Sequence, residues 1–129
     1  MRVLLDTHAL VWWLLGKRQL GEAARRLISD PDVPVLVSAA SIWEIATKHR
    51  SGKWDESGPL LANVDEWMGQ VRFAPLPITL PHALAAGRLD SIHKDPFDRM
   101  LIAQSRIENL SVVTIDPVFA AHGVSVIWR

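Results

Sequence analysis

Cysteine and tyrosine are both absent from this sequence of 129 residues. Without cysteine, the chain has no disulfide, no thiolate ligand for a metal and no cysteine nucleophile. Redox chemistry through thiols is therefore excluded, and the composition is compatible with a reducing compartment.

The chain has no excess of either charge, since 14 lysine and arginine residues balance 14 aspartate and glutamate residues. Many nucleic-acid-binding proteins carry a large positive charge that attracts phosphate whatever its sequence. Any contact between this chain and a nucleic acid must accordingly be local.

Long hydrophobic runs are missing as well. The longest covers residues 9–15, far below the roughly 18–20 residues that cross a bilayer. Asp6 and His8 interrupt the apolar N-terminus, so it does not read as a secretory signal, and we expect a mature cytoplasmic protein. With 49% hydrophobic and 22% charged residues, the chain has a globular composition, and we expect one domain over residues 1–129.

Short apolar runs alternate with stretches of helical spacing along the chain. The apolar runs predict strands at residues 3–5, 35–37, 72–78, 111–115 and 125–128. Helices are predicted at residues 8–15, 21–28, 39–50, 59–70, 81–87 and 96–108, with a last turn after Pro117. Pro75 and Pro77 favour a sheet edge for their strand. The alternation predicts an α/β fold, with a mostly parallel central sheet of about four or five strands between layers of helices.

Two aspartates directly follow predicted strands, Asp6 after residues 3–5 and Asp116 after residues 111–115. Ligands of open α/β sheets bind at this carboxyl edge. No lysine or arginine lies close in sequence to neutralise either carboxylate, so burying one there is costly. A bound cation would remove that cost.

Two further acids are expected at the same edge. Glu44 lies in the predicted helix 39–50, which follows the strand at residues 35–37, and Asp98 lies in the first turn of the helix that Pro96 opens. Carboxylates packed together repel one another unless metal compensates, and hard oxygen ligands suit Mg²⁺ or Mn²⁺. Such a cluster fits one or two metals that activate water for phosphodiester hydrolysis.

Each acid also has a simpler explanation as a helix cap. Asp95 and Asp116 both precede proline at a helix start, and Asp98 interacts favourably with the dipole of its helix. Glu44 completes a capping box if its helix begins at Ser41. Only for Asp6 does capping fail to explain why the preceding strand is so apolar.

Four segments, in their order along the chain, resemble the PIN domain, and in particular the VapC toxins of bacterial and archaeal toxin–antitoxin systems. They read VLLDTH at residues 3–8, SAASIWEI at 38–45, HKDPFDRMLIAQ at 93–104 and VTID at 113–116. Any one of these motifs alone is weak. The ordered set spans nearly the whole chain and is specific.

The resemblance implies a PIN-like three-layer α/β/α fold and an endoribonuclease that depends on Mg²⁺ or Mn²⁺. It implies that Asp6, Glu44, Asp98 and Asp116 are the catalytic metal-site residues, with Thr114 supporting Asp116 by a hydrogen bond. Asp95 is kept as a structural cap. The RNA substrate would be attacked by metal-bound water, without a covalent intermediate. A cognate antitoxin that covers the first helices, and a homodimer, are further expectations from the family.

Several basic residues are weaker candidates for contact with RNA. A modest basic group before the Asp98 helix is expected to contact the RNA backbone, and it consists of Arg88, His93 and Lys94. Arg99 directly follows Asp98, so it either orients a carboxylate, contacts an RNA phosphate or forms a solvated pair. Lys48 lies four residues after Glu44, so it either orients that carboxylate, contacts a phosphate or forms a solvated pair. His8 is read as a residue of the helix start rather than as a metal ligand.

Six tryptophans are unusual for a chain of this length. Trp12 and Trp13 diverge by about 100° on a helix, so we expect one of them to be exposed or in an interface. Tryptophan is favoured at the buried centres of interfaces. The weak candidates for contact with the antitoxin are Trp12, Trp13, Trp54 and Trp67, and ordinary packing would equally account for each.

Several different functions remain compatible with the sequence. A metal-dependent phosphotransfer protein, such as a response-regulator receiver or a haloacid-dehalogenase-like phosphatase, also gathers acids at a sheet edge. The latter needs a second aspartate two residues after the first, where this chain has His8. A non-catalytic protein-binding module and a DNA nuclease on the same fold are compatible with it as well.

Overall fold

The computed structural model describes all of residues 1–129. Its five strands are β1 (Val3–Leu5), β2 (Val35–Ser38), β3 (Ala74–Leu76), β4 (Ser111–Val113) and β5 (Val126–Ile127). The first helices are α1 (Thr7–Leu14), α2 (Glu22–Ser29) and α3 (Ala39–Arg50), followed by a 3₁₀ turn (Asp55–Ser57). The remaining helices are α4 (Gly58–Ala62), α5 (Val64–Val71), α6 (Leu80–Arg88), α7 (Pro96–Ile107) and α8 (Pro117–Ala121).

The strands form one sheet in the order β3-β2-β1-β4-β5, and every neighbouring pair is parallel. The predicted α/β fold with four or five strands is therefore confirmed, with five. The proline-containing strand β3 lies at the edge of the sheet, as its sequence predicts.

Side chains pack on both faces of the sheet, which explains why the strands are continuously apolar. Successive residues of β1 alternate between faces: Val3 and Leu5 belong to one core cluster, and Leu4 belongs to the other. The first cluster includes residues of α1, α2 and α3, and the second includes residues of α7 and α8. The three layers follow from this alternation.

One predicted helix differs from the observed structure. Residues 59–70 were expected to form a single helix, but Asn63, with φ −138° and ψ 41°, separates α4 from α5. That conformation is not helical, so the chain bends there.

None of the helices has the length and hydrophobicity that crossing a bilayer requires.

The chain order places a crevice beside the central strand. From β1 the chain builds β2 and β3 on one side, and β4 and β5 lie on the other. The ends of β1 and β4 therefore flank the point at which the winding direction reverses, which is where open α/β sheets bind ligands. Asp6 follows β1 at this point, and Thr114 follows β4.

Candidate active site

A cavity of about 440 Å³ opens at this carboxyl edge of the sheet. The four acids that the sequence singles out all line it. Its complete lining is Asp6, His8, Trp12, Glu44, Lys48, Asp95, Asp98, Ile115, Asp116 and Pro117. The fold thus brings four distant segments to one place.

Asp6 is buried, with 5% of its surface exposed. One carboxylate oxygen accepts a hydrogen bond from the backbone N–H of Thr7 at 2.7 Å and caps α1. The other oxygen accepts from the Thr114 hydroxyl at 2.8 Å. Capping was expected to matter least at this aspartate, yet the structure shows that Asp6 both ends the buried strand and begins the helix.

Thr114 connects the ends of β1 and β4. Its hydroxyl donates to Asp6 Oδ2 and accepts from the backbone N–H of Asp116 at 3.0 Å. The predicted hydrogen bond between Thr114 and Asp116 is present, but it reaches the backbone rather than the carboxylate. The Asp116 carboxylate accepts instead from the backbone N–H of Val118 at 3.0 Å and caps α8.

Glu44 projects from α3 and is 3% exposed. Its Oε2 pairs with the Lys48 ammonium at 2.5 Å, one helical turn away, while its buried Oε1 has no hydrogen-bond partner. The capping-box explanation for Glu44 is wrong, because α3 begins one turn earlier, with Ser38 as its cap. Burying a carboxylate oxygen without a hydrogen-bond partner costs free energy of folding. A ligand bound to Glu44 Oε1 would remove that cost.

Asp98 lies in the first turn of α7, with its side chain 14% exposed. Its Oδ2 is 2.9 Å from His93 Nε2. Asp95 caps the same helix, as predicted, by accepting from the backbone N–H groups of Phe97 and Asp98 at 2.9 and 3.2 Å. Sequence reasoning missed that Asp95 also lines the cavity.

Two of these acids have raised pKa values. Burial is the main cause of the raised pKa of Asp6. The hydrogen bond from Thr114, the charge of His8 and the hydrogen bond from Thr7 lower this pKa, whereas the charge of Glu44 raises it further. Burial also raises the pKa of Asp98 to about 6, against the hydrogen bond from His93. The charges of Asp95, Asp6 and Glu44 raise it further. The carboxylates therefore lie close enough to repel one another.

These residues fit a divalent cation by their chemistry, although not yet by their geometry. The donors are carboxylate oxygens, which suit Mg²⁺ or Mn²⁺, and the orphaned Oε1 of Glu44 supplies an unused ligand. As the side chains stand, no group of three or more acidic or histidine residues is arranged to hold an ion.

Two of the basic residues proposed to contact RNA have other surroundings. The Arg99 guanidinium donates to the backbone carbonyls of residues 86, 87, 89, 91 and 93, so it holds the connection between α6 and α7. Its predicted phosphate contact is wrong, because these carbonyls engage its Nε and both terminal nitrogens. Arg88 lines a separate cavity of about 550 Å³ with Arg106 and His122, away from the acids.

Of the remaining two candidates, only His93 contacts one of the acids. His93 contacts Asp98 directly, whereas Lys94 is exposed and does not line the acidic cavity. The basic residues predicted from the sequence therefore do not form one patch beside the acids.

The tryptophans also separate into distinct groups. Trp67 is buried in the core and donates to the Leu60 carbonyl at 2.9 Å, so its predicted contact with an antitoxin is wrong. Trp12 and Trp13 are both half-buried against the same core cluster, so neither is exposed, and the alternative that one of them lies in an interface stays a prediction. Trp12 lines the acidic cavity, and Trp54 lies under the Lys48 ammonium at 5.1 Å.

Comparison with known proteins places this geometry in a family. Three solved structures share the fold at low sequence identity. The VapBC2 complex of Rickettsia felis, bound to a DNA fragment from its promoter, superposes with a TM-score of 0.70 and 14% identity over 100% of both chains. VapC20 of Mycobacterium tuberculosis, a toxin that cleaves the sarcin–ricin loop, has a TM-score of 0.69 and 19% identity over 98% of this chain and 99% of that chain.

A toxin–antitoxin complex from Klebsiella pneumoniae gives a TM-score of 0.61 and 18% identity, covering 97% of this chain and 95% of that chain.

A search of curated protein sequences finds no match. The family model of the PIN domain matches residues 3–124. That match includes all four acids of the cavity. The chain belongs to the PIN domain family.

Proposed function

We propose that this chain is a metal-dependent endoribonuclease of the VapC toxin type. The observation that carries the proposal is the convergence of Asp6, Glu44, Asp98 and Asp116 on one cavity, at the reversal point of a parallel sheet. These acids come from four separate segments, and although Asp6 and Asp116 also cap helices, capping does not explain why all four meet. The fold shared with a toxin that cleaves RNA supports the choice of substrate.

The four carboxylates would hold Mg²⁺ or Mn²⁺. When bound, the metal supplies an activated water and stabilises the leaving oxygen of the phosphodiester. The protein supplies the positions of the carboxylates. Thr114 fixes Asp6, and His93 fixes Asp98, each through a hydrogen bond to one oxygen. Lys48 balances the charge of Glu44 while no cation is present.

The proposal includes two protein partners. An antitoxin that holds the enzyme inactive is supported by the fold shared with the toxin–antitoxin complex from Klebsiella pneumoniae. A homodimer remains a prediction from the resemblance to the VapC toxins, and a cytoplasmic location remains the expectation drawn from the N-terminal sequence. Neither partner is needed to complete the set of four acids within one chain.

The test is cleavage of total RNA by the purified protein, free of any antitoxin, with Mg²⁺, Mn²⁺ or EDTA. We expect discrete cuts that require metal. Asp6→Asn and Asp98→Asn should abolish these cuts while the variants remain folded, because each change removes a charge at nearly constant size. Asp32→Asn is the matched control, since Asp32 is exposed and lies away from the cavity.

Three results would indicate a different function. Cleavage of DNA in preference to RNA of the same sequence would indicate a DNA nuclease. Stable phosphorylation of Asp6 by a phosphodonor would indicate phosphotransfer. No cleavage of any RNA, together with no metal binding, would indicate a non-catalytic binding module.

A further inference from the structure

The acidic cavity has a second wall, which is aromatic. His8 and Trp12 lie one turn apart on α1 and line the same cavity as the four acids. Their ring centroids are 5.4 Å apart, and both side chains are half-buried. We call these two residues the aromatic wall. Neither has a role in the proposed hydrolysis, so their position beside the acids calls for a separate explanation.

Two further rings pack against the aromatic wall. Trp54 packs edge-on against His8 at 5.0 Å, and Trp128 packs edge-on against Trp12 at 5.7 Å. The Lys48 ammonium lies over Trp54, so the same lysine contacts both Glu44 and the support of the wall. A half-buried ring fixed by neighbouring rings is a rigid platform, which loses little entropy when a flat ligand stacks on it.

We propose that the aromatic wall stacks an unpaired base of the RNA strand next to the bond that is cut. This inference rests on the proposed nuclease function and adds residues that select the substrate. Every base has an aromatic face, and proteins recognise unpaired RNA by stacking bases on tryptophan, histidine and similar side chains. The scissile phosphate at the acids and a base on the aromatic wall would then occupy one cavity.

The lining favours a nucleotide over a segment of protein as the occupant. Apart from the two rings, it consists of carboxylates, Lys48 and only two aliphatic side chains, Ile115 and Pro117. A protein segment would find more apolar surface in a different groove, of about 480 Å³, whose lining includes Val37, Ile42, Val64, Met68 and Leu76. The cavity therefore suits a nucleotide, because the base has a flat aromatic face and the phosphate would be held once a divalent cation offsets the carboxylates.

The test uses Trp12→Leu, which removes the ring, and Trp12→Phe, which retains one. Trp13→Leu is the matched control, because Trp13 is its neighbour on α1 and is also half-buried, but does not line the cavity. Thermal unfolding of all three variants controls for folding. The first probe is a short oligouridylate that carries a single 2-aminopurine, whose fluorescence is quenched by stacking. The second is the RNA cut by the wild-type protein.

We expect the wild-type protein, Trp13→Leu and Trp12→Phe to quench the single-stranded probe, and Trp12→Leu to lose the quenching. Annealing the probe to its complement should also abolish it. Cleavage by Trp12→Leu should fall by roughly tenfold or more in kcat/KM, as expected for the loss of one stacked base. A phenylalanine at this position should restore most of the loss.

Three results would overturn the proposal. One is a wild-type protein that cleaves RNA but does not quench the probe. A second is a folded Trp12→Leu variant that cleaves as well as the wild type, which leaves the nuclease function standing. The third is a Trp12→Leu variant that loses affinity only for a cognate antitoxin, which would assign the aromatic wall to that protein. Failure of the wild type to cut any RNA would instead remove the proposed function on which this inference rests.

Discussion

At the scale of single residues, several aspartates of this site both stabilise a helix and line the cavity. Asp6, Asp95 and Asp116 each cap a helix, and all three line the acidic cavity. In each case one carboxylate oxygen, Oδ1, accepts the capping hydrogen bonds. The same aspartate can therefore cap a helix and bind a ligand, because a carboxylate has a second oxygen. The cap fixes the direction in which that second oxygen points.

Asp98 should destabilise the metal-free protein at neutral pH. Its pKa is raised from 3.8 to about 6, so between these values the folded chain retains a proton that the unfolded chain has lost. The free energy of unfolding therefore falls as pH rises through this window. Asp98→Asn should be more stable than the wild type above pH 6 by about 1 kcal/mol, allowing for partial exposure.

Thermal unfolding in EDTA from pH 4 to 7.5 measures this difference. It should be largest above about pH 6 and should vanish towards pH 4, where Asp98 is protonated in both states. A variant that is less stable than the wild type at pH 7 would contradict the account of Asp98.

The sequence predicts where the acids of the cavity lie, but it does not predict the contacts of the arginines. Asp6 and Asp116 directly follow apolar strands, so their place at the sheet edge follows from chain order alone. Arg99 adjoins Asp98 in sequence, yet its guanidinium contacts carbonyls up to 13 residues back. Such a contact depends on how α6 packs against α7, which no local pattern encodes.

At the scale of elements, the C-terminal residues fasten α2 to the rest of the fold. The Trp128 carbonyl accepts from the backbone N–H of Ala24 at 3.0 Å, near the start of α2. Gly21 caps this helix so closely that a Cβ there would overlap the same carbonyl oxygen. Only glycine allows this approach. The contact also positions Trp128, which supports Trp12.

Gly21→Ala should therefore loosen the C-terminal segment. Because the obstacle is backbone rather than a flexible side chain, we expect a loss of about 1–3 kcal/mol in the free energy of unfolding. Gly69→Ala is the control, since a Cβ at that position in α5 meets nothing within 4 Å and alanine favours a helix. Differential scanning calorimetry compares the two variants, and equal Tm values would show that the contact with Trp128 does not contribute to stability.

The sequence predicts most elements because their signals are local. All five strands come from apolar runs, and residues 39–50 match α3 at both ends. The break between α4 and α5 was missed, since Asn63 alone does not stop a helix. Its conformation is compatible with the side chains of Leu61, Val64 and Met68 all packing against the first core cluster, which is a property of the tertiary structure.

At the scale of the whole molecule, several large apolar side chains remain exposed. Leu80 and Leu84 lie one turn apart on α6 and are 87% and 54% exposed, and Trp43 is 56% exposed beside Glu44. Trp43 packs edge-on against Phe97 at 4.7 Å. Exposed apolar side chains that share one helix face are typical of protein interfaces. They are the natural candidates for the contact surface of the expected homodimer.

Leu84→Glu should convert that homodimer to a monomer, because a charge on the apolar face of α6 cannot be buried without a partner. Ala62→Glu, at an exposed position on α4 rather than on α6, should leave the dimer unchanged. Multi-angle light scattering gives the mass of each variant. A dimer that persists in Leu84→Glu would place the interface elsewhere on the molecule.

The central claim is that the converged carboxylates bind a divalent metal. Calorimetric titration of the metal-free protein with Mn²⁺ at pH 7.5 tests it most directly. We predict saturable binding by the wild-type protein and by the control Asp32→Asn, with affinity reduced at least tenfold in Asp6→Asn and in Asp98→Asn. Equal Mn²⁺ affinity in all four proteins, or none in the wild type, would contradict the account.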